Sequence, residues 1–90
     1  MIKVGFFADI RAMVGTKEIM MPTRPSLILL MHDLCLKYGK SFTDLCMDGD
    51  HISRRVNILV NGHHMLHLAQ DDTELKDGDD VRIFPVIAGG

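Results

Sequence analysis

Hydrophobic and polar residues alternate in several stretches of the sequence, a pattern typical of half-buried β-strands. In the N-terminal stretch, residues 2–8, every second side chain is apolar and would share one face of a strand: Ile2, Val4 and Phe6. The same period predicts strands over residues 17–21, 56–60 and 81–87. Asn61-Gly62 is a strong signal for a tight hairpin turn, so a short return strand is predicted over residues 63–66.

One stretch has the period of a helix instead. Between Ser26 and Tyr38, apolar residues recur three and four positions apart, which places them on one helix face: Leu27, Leu30, Met31, Leu34, Cys35 and Tyr38. Ser26 or Thr23 would cap the start of this helix, and Gly39 suits the left-handed conformation that follows a helix end. The pattern therefore predicts one main helix.

The remaining segments are less regular. Residues 45–47 indicate a short helical turn, Asp48-Gly49-Asp50 indicates a tight turn, and residues 9–15 predict a turn or a single helical turn. The predicted order is strand, strand, helix, strand, short strand, strand. Because one helix covers only one face of a sheet, this order predicts an α+β fold. A β-grasp, in which a mixed sheet wraps around one main helix, fits it, with the domain over residues 1–85 and a flexible tail over 86–90.

The composition narrows the class of protein. The chain has 90 residues, is 47% hydrophobic and carries a net charge of −2, which excludes a disordered chain and a strongly basic nucleic-acid binder. The longest apolar run, Leu27 to Met31, is too short to cross a membrane, and the N-terminus lacks the features of a signal peptide. We therefore expect a cytoplasmic protein with no nucleic-acid or membrane partner, in which Cys35 and Cys46 stay reduced.

The sequence contains a cluster of histidines and a cluster of acidic residues, each a candidate binding site. His63, His64 and His67 lie near the predicted hairpin, but the first two would point to opposite faces, so no metal site is predicted. Six of the twelve acidic residues fall between Asp71 and Asp80, which fits either a solvated turn or a docking surface for a basic partner. The sequence has no phosphate-binding loop and no nucleophilic triad. We expect no bound cofactor and no self-contained active site.

The closing strand predicts an outward-facing surface. If the helix covers the face of Val81 and Ile83, the opposite face is left outward and carries Arg82, Phe84 and Val86. The first and last strands of a β-grasp are adjacent, which would place Phe7 near Phe84, and Leu59 would face outward on the neighbouring strand. An exposed apolar patch of this kind marks a partner surface, and scattered surface hydrophobes are the alternative.

The last residues favour chemistry at the end of the chain. After Pro85 the sequence runs Val86-Ile87-Ala88-Gly89-Gly90. Ala88 and Gly89 are slim enough to thread a narrow channel and present the carboxylate of Gly90 to an enzyme. A carboxylate is a poor electrophile, but adenylation makes it reactive toward a sulfur donor, which gives a thiocarboxylate, or toward an amine, which gives an isopeptide bond. A coincidental Gly-Gly on a plain interaction domain is the remaining alternative.

Several of these pieces together resemble the ubiquitin-like sulfur carriers, and among them the MoaD-like small subunit of molybdopterin synthase, with ThiS-like carriers as the nearest relatives. The resemblance covers most of the chain. It rests on four motifs: Ile2-Lys3-Val4-Gly5-Phe6-Phe7-Ala8 with Arg11 and Val14-Gly15, Val60-Asn61-Gly62, Leu75-Lys76-Asp77-Gly78-Asp79-Asp80-Val81, and Phe84-Pro85-Val86-Ile87-Ala88-Gly89-Gly90. Val86 stands where the family commonly has a second proline, which leaves the stiffness of the tail and the choice of partner open.

The resemblance implies a sulfur carrier that acts as a non-catalytic subunit and co-substrate. An E1-like adenylating enzyme would activate Gly90 with ATP, a persulfide donor would convert it to a thiocarboxylate, and the tail would enter the larger subunit of molybdopterin synthase. There the sulfur would pass to a pterin precursor of the molybdenum or tungsten cofactor.

The same resemblance implies which residues contact the partner: Phe84, Pro85 and Ile87, with Phe7 and Arg11 as further candidates. Carriers for thiamine synthesis or tRNA thiolation, and modifiers joined to lysines through Gly90, share the fold and the Gly-Gly end. These functions remain alternatives at the level of the sequence.

Overall fold

The computed structural model describes residues 1–86. In chain order its elements are β1 (Ile2–Phe6), α1 (Ala8–Val14), β2 (Glu18–Met21), α2 (Leu27–Tyr38), α3 (Lys40–Cys46), β3 (Met47–Asp48), β4 (His51–Ile52), β5 (Val56–Val60), β6 (His63–His64) and β7 (Asp80–Pro85), with short 3-10 turns at Met65–His67 and Gln70–Asp72. The main sheet has five strands in the order β2-β1-β7-β5-β6, and β3 pairs with β4 in a separate hairpin.

The two central strands run in parallel. β1 pairs with β7 in the same direction, with Val4 opposite Val81 and Phe6 opposite Ile83, while β2, β5 and β6 pair antiparallel to their neighbours. β1 and β7 therefore finish at the same end of the sheet. This arrangement confirms the predicted mixed sheet and brings the residues after both strands together.

The core lies between the sheet and α2. The strands contribute buried side chains from alternate positions, and α2 contributes the four buried residues of its predicted stripe: Leu27, Leu30, Met31 and Leu34. Cys35 and Tyr38 complete that stripe and are partly buried against the core. Removing these apolar surfaces from water is the main stabilising contribution to a domain of this size. The prediction of a single main helix on one sheet face is confirmed.

The segment before β5 differs from the prediction. Residues 40–46 form helix α3, and Met47 already belongs to β3, so the helical turn predicted at 45–47 is the end of a longer helix that stops one residue earlier. Phe42 and Cys46, four residues apart, are the buried positions of α3, and the Phe42 ring meets the Phe6 ring edge to face with centroids 6.4 Å apart. Two buried residues are too few to give a helical period in the sequence. A helix of only seven residues also depends on tertiary packing for its stability.

The turns agree with the residues that form them, with two corrections. Asn61 and Gly62 have φ angles of 52° and 84°, as a tight hairpin requires, but the return strand stops at His64. Its Nδ1 accepts a hydrogen bond from the backbone N–H of Leu66 and so begins a 3-10 turn. Gly39 has φ 86° and ψ −157°, which is not the left-handed helical conformation predicted for it, because Gly39 joins α2 directly to α3.

Two observations concern the helices. Within residues 1–86 no helix has the length and the apolar character needed to cross a membrane. Residues 8–14 form a helix of seven residues rather than the single turn predicted.

Cys35 and Cys46 are both free thiols, as expected. Burial raises the pKa of Cys46 to about 12, so this thiol is protonated and unreactive at neutral pH.

Candidate partner-binding face and tail exit

A stacked pair of aromatic rings lies on the sheet face opposite α2. The Phe7 and Phe84 rings are nearly parallel, with an interplanar angle of 12° and centroids 4.2 Å apart. The pair follows from the register, because Phe6 lies opposite Ile83 and the next residue of each chain segment therefore points to the outer face. The predicted proximity of Phe7 and Phe84 is confirmed. Phe84 is half-buried rather than fully exposed, since the neighbouring ring covers part of it.

Gly5 lies beneath this pair. A Cβ atom at Gly5 would lie 3.4 Å from Cε2 of Phe7 and 3.7 Å from Cγ of Arg82, which are ordinary van der Waals distances. The Phe7 ring and the Arg82 stem therefore lie over β1 at this position. The contact depends on how Phe7 folds back over its own strand, so the sequence pattern did not show it.

Arg11 places a guanidinium group beside the Phe7 ring, and Arg82 lies two residues before Phe84 on β7. The Arg11 guanidinium carbon lies 5.4 Å from the centroid of Phe7, and its Nε donates a hydrogen bond to the backbone oxygen of Phe6 at 3.0 Å. Arg82 forms an ion pair with Asp80 at 3.2 Å. A cation over an aromatic ring is attracted to its electron-rich face. Arg11 and the stacked rings therefore form one surface, as a shared role of these residues in partner binding would require.

Leu59 extends this surface across the sheet. It is half-buried on β5 and lies opposite Arg82, while Asn57 lies opposite Phe84 and its Oδ1 accepts a hydrogen bond from Nε2 of His64 at 3.0 Å. We call the set Phe7, Arg11, Leu59, Arg82 and Phe84 the aromatic face. Its members come from α1, β5, β7 and the residue between β1 and α1, and it presents apolar rings together with positive charge.

The chain leaves the sheet beside the aromatic face. Pro85 is the last residue of β7 and lies opposite Val56. The next residue, Val86, donates its backbone N–H to the backbone oxygen of Arg55 at 2.9 Å, and its side chain is 43% exposed. An open groove of about 400 Å³ borders this point, which we call the tail exit, and its lining residues are Asp9, Leu45, Arg54, Arg55, Pro85 and Val86. No pattern in the sequence indicated that Arg55 contacts this part of the chain.

Four predicted site residues lie outside the described residues. They are Ile87, Ala88, Gly89 and Gly90. Their roles in partner contact, threading and chemistry stay predictions, as does the boundary between domain and tail.

The histidine and acidic clusters have structural partners. Both ring nitrogens of His64 are engaged in hydrogen bonds, and among residues 1–86 no three His, Cys, Asp or Glu side chains are grouped to hold a metal ion. Asp79 accepts hydrogen bonds from Asn61 and from the backbone N–H of Lys76. Asp77 bonds the N-terminal amine and Thr23, which holds its carboxyl pKa below the usual range. These contacts favour the interpretation of the acidic stretch as a turn scaffold.

Comparison with known proteins decides the family. The model of the ThiS family matches residues 4–90, nearly the whole chain. The chain belongs to the ThiS family. It is thus a ubiquitin-like protein of the sulfur carrier family, as the resemblance in its sequence indicated, and its β-grasp fold is confirmed by solved structures of relatives.

Three similar proteins show how far the likeness extends. Small archaeal modifier protein 3 of Haloferax volcanii is 34% identical over 91 residues, which cover 99% of this chain and 98% of the relative. The solution structure of small archaeal modifier protein 1 from Methanosarcina acetivorans has a TM-score of 0.85 at 32% identity and covers 99% of this chain and 95% of that one. A Pyrococcus furiosus chain provisionally named molybdopterin converting factor, subunit 1, has a TM-score of 0.70 at 32% identity, covering 96% and 97%.

Proposed function

We propose that the protein is a sulfur carrier whose Gly90 carboxyl is adenylated, converted to a thiocarboxylate and used as a sulfur donor in molybdopterin synthesis. The observation that carries the proposal is the family match, which extends through Gly89 and Gly90 to residue 90. The Pyrococcus furiosus neighbour, similar over nearly its whole length, supports the molybdopterin branch by its name.

The chemistry divides between this chain and its partners. The Gly90 carboxylate attacks the α-phosphate of ATP in an E1-like enzyme, and pyrophosphate leaves. A persulfide sulfur then attacks the acyl carbon and displaces AMP, and a thiol cleaves the resulting S–S bond to leave the thiocarboxylate. Adenylation replaces a poor leaving group, oxide, by a better one, AMP, so that sulfur can attack the acyl carbon. The carrier supplies only the reactive carboxyl and the surfaces that bind the two enzymes.

The aromatic face is the surface best suited to bind these partners. Phe7 and Phe84 offer a rigid apolar platform, and Arg11 places a positive charge at its edge. Aromatic and arginine side chains dominate the energetics of protein interfaces. Because the tail exit follows Phe84 by two residues, a partner bound to this face receives the tail at the same time.

Mass spectrometry tests the proposal directly. Incubation of the full chain with its activating enzyme, ATP and a persulfide donor is expected to add about 16 Da at Gly90, the exchange of one oxygen for sulfur. A variant that lacks Gly89 and Gly90 is the matched control and should gain no mass. The sulfur-carrier proposal is wrong if an enzyme preparation competent with its own carrier leaves the intact chain unmodified. The pterin branch fails if the thiocarboxylate forms but the larger synthase subunit cannot use it.

A protein modifier is the second candidate function. Two of the relatives described above, at 34% and 32% identity, are named small archaeal modifier proteins. In this function the activated Gly90 carboxyl forms an isopeptide bond with a lysine amine and releases AMP. Because Arg82 is the last basic residue of the sequence, trypsin would leave residues 83–90 on the modified lysine. Enrichment of peptides that carry this remnant from the host cell supports the modifier, and its absence while the thiocarboxylate is present supports the carrier alone.

A further inference from the structure

Arg55 occupies an unusual position between the helical layer and the start of the tail. It lies just before β5, and its guanidinium group reaches across to the end of α3. Nη2 donates to the backbone oxygens of Asp44 at 2.6 Å and Met47 at 3.2 Å, and Nη1 pairs with the carboxylate of Asp48 at 3.0 Å. The planar guanidinium group satisfies three acceptors at once, which a lysine amine cannot do in the same geometry.

The backbone of Arg55 is held from both sides. Its N–H donates to Oγ of the buried Ser53 at 3.0 Å, and Ser53 donates its own N–H to the oxygen of Cys46 at 2.8 Å. The Arg55 carbonyl then accepts the N–H of Val86 at 2.9 Å. Side chain and backbone together connect the C-terminal end of α3 to the first residue after β7.

We propose that Arg55 is a positioning residue that fixes where and in what direction the tail leaves the sheet. The proposal rests on the function proposed for Gly90 and assigns the α3 segment a part in it. Sequence reasoning did not single out Arg55, because nothing in the pattern of residues 41–55 indicates that this side chain crosses to another element.

A fixed exit lowers the entropic cost of presenting the tail. Four residues follow Val86, so the carboxyl of Gly90 can reach about 14 Å from the anchor in an extended chain. If the Arg55 bond to Val86 opens, the direction in which the chain leaves β7 is no longer fixed, so the Val86 backbone must also be ordered when the tail enters a partner. Loss of Arg55 should therefore weaken productive insertion without removing the reactive carboxyl.

Hydrogen exchange of the Val86 amide, measured by NMR on the full chain, reports on the anchor itself. Arg55→Ala is expected to accelerate exchange at Val86 by about tenfold, while the core amides of Ile58 and Ile83 keep their wild-type rates. Arg55→Lys should give an intermediate acceleration. Lys17→Ala is the matched control, since Lys17 is an exposed basic residue that lies outside the tail exit, and it should leave the Val86 rate unchanged.

Kinetics with the activating enzyme completes the test. In Arg55→Ala, kcat/KM for thiocarboxylate formation is expected to fall several-fold, mostly through KM. The proposal is overturned if Val86 exchanges at the wild-type rate in Arg55→Ala, if all core amides accelerate equally, or if exchange accelerates while kcat/KM stays unchanged. A failure of the carrier function itself is distinguishable, because the wild-type chain would then form no thiocarboxylate while the Val86 amide still reports on Arg55.

Discussion

At the scale of single residues, the site depends on contacts that each involve very few atoms. The centroids of the Phe7 and Phe84 rings lie 4.2 Å apart, and Gly5 lies beneath the Phe7 ring. One hydrogen bond to the backbone oxygen of Phe6 orients Arg11 over the Phe7 ring. These residues combine an apolar surface with charge, and their chemistry can be tested one side chain at a time.

Phe84→Ala should separate partner binding from stability. The substitution removes one ring of the stack, so we expect affinity for the larger partner subunit to fall by at least about tenfold, with a loss of about 1–2 kcal/mol in the free energy of unfolding. Leu36→Ala is the control, because Leu36 is 86% exposed on α2, on the other side of the sheet. Calorimetric titration and urea unfolding measure the two effects. Equal weakening by both variants would show that the aromatic face is not the binding surface.

His51 should make stability depend on pH. Its Nδ1 lies 2.8 Å from Oδ2 of Asp71, and this hydrogen bond raises the pKa of His51 above its ordinary value. The stabilising contribution is fully present below the ordinary pKa of about 6.5 and is lost as pH rises through the higher folded-state pKa. The urea midpoint of the wild type should therefore exceed that of His51→Gln at about pH 5.5 and approach it at about pH 8.5. Parallel curves for the two proteins would contradict this prediction.

At the scale of elements, α3 is the part of the fold that sequence periodicity did not show. It begins directly after Gly39 and packs the buried Phe42 ring against the rings of Phe6 and Tyr38. The centroid distances from Phe42 to these rings are 6.4 and 5.6 Å. Its C-terminal end also provides the carbonyls that hold Arg55. One buried aromatic side chain thus positions both the helix and the residue that anchors the tail.

Phe42→Ala tests this dependence. Removal of a fully buried ring leaves a cavity beside Phe6, and we expect a loss of about 3–4 kcal/mol in the free energy of unfolding. Lys40→Ala, on the exposed side of α3, removes only the surface ion pair with Asp44 and should change stability by less than about 0.5 kcal/mol. Urea unfolding monitored by circular dichroism measures both. A loss below about 1 kcal/mol for Phe42→Ala would mean that α3 is not packed as described.

At the scale of the whole molecule, the parallel pairing of β1 with β7 determines where function can be located. Both strands finish at the same end of the sheet, so the aromatic rings, Arg11 and the tail exit lie together there. The acidic turn that contains Asp77 and Asp79 precedes β7 and lies at the other end of the sheet. The aromatic face and the tail exit therefore lie at one end of the domain, and the turn at the other end closes its fold.

Deleting residues 89–90 should separate folding from function. The buried core lies within residues 2–83, so the free energy of unfolding is expected to stay within about 0.5 kcal/mol of the wild-type value. Thiocarboxylate formation, followed by intact mass, should be abolished. A truncated chain that still supports sulfur transfer in a reconstituted reaction would mean that the Gly-Gly is incidental and that the protein acts only through its folded surface.

The sequence by itself determined the five strands of the main sheet, the main helix, the hairpin turn and the outward side of the last strand. These features repeat over several residues or depend on local backbone preference, so they are visible without the fold. The pairing of Phe7 with Phe84 also followed, once adjacency of the first and last strands was assumed.

Only the tertiary structure decided the rest. Helix α3 and the bonds of Arg55 depend on contacts between residues of different elements. Such contacts leave no period in the sequence, because one buried ring or one guanidinium group is enough to make them. The chemistry proposed at Gly90 and the meeting of Phe7 with Phe84 were therefore readable from the sequence, whereas the bonds that connect Arg55 to α3 and to Val86 required the packed molecule.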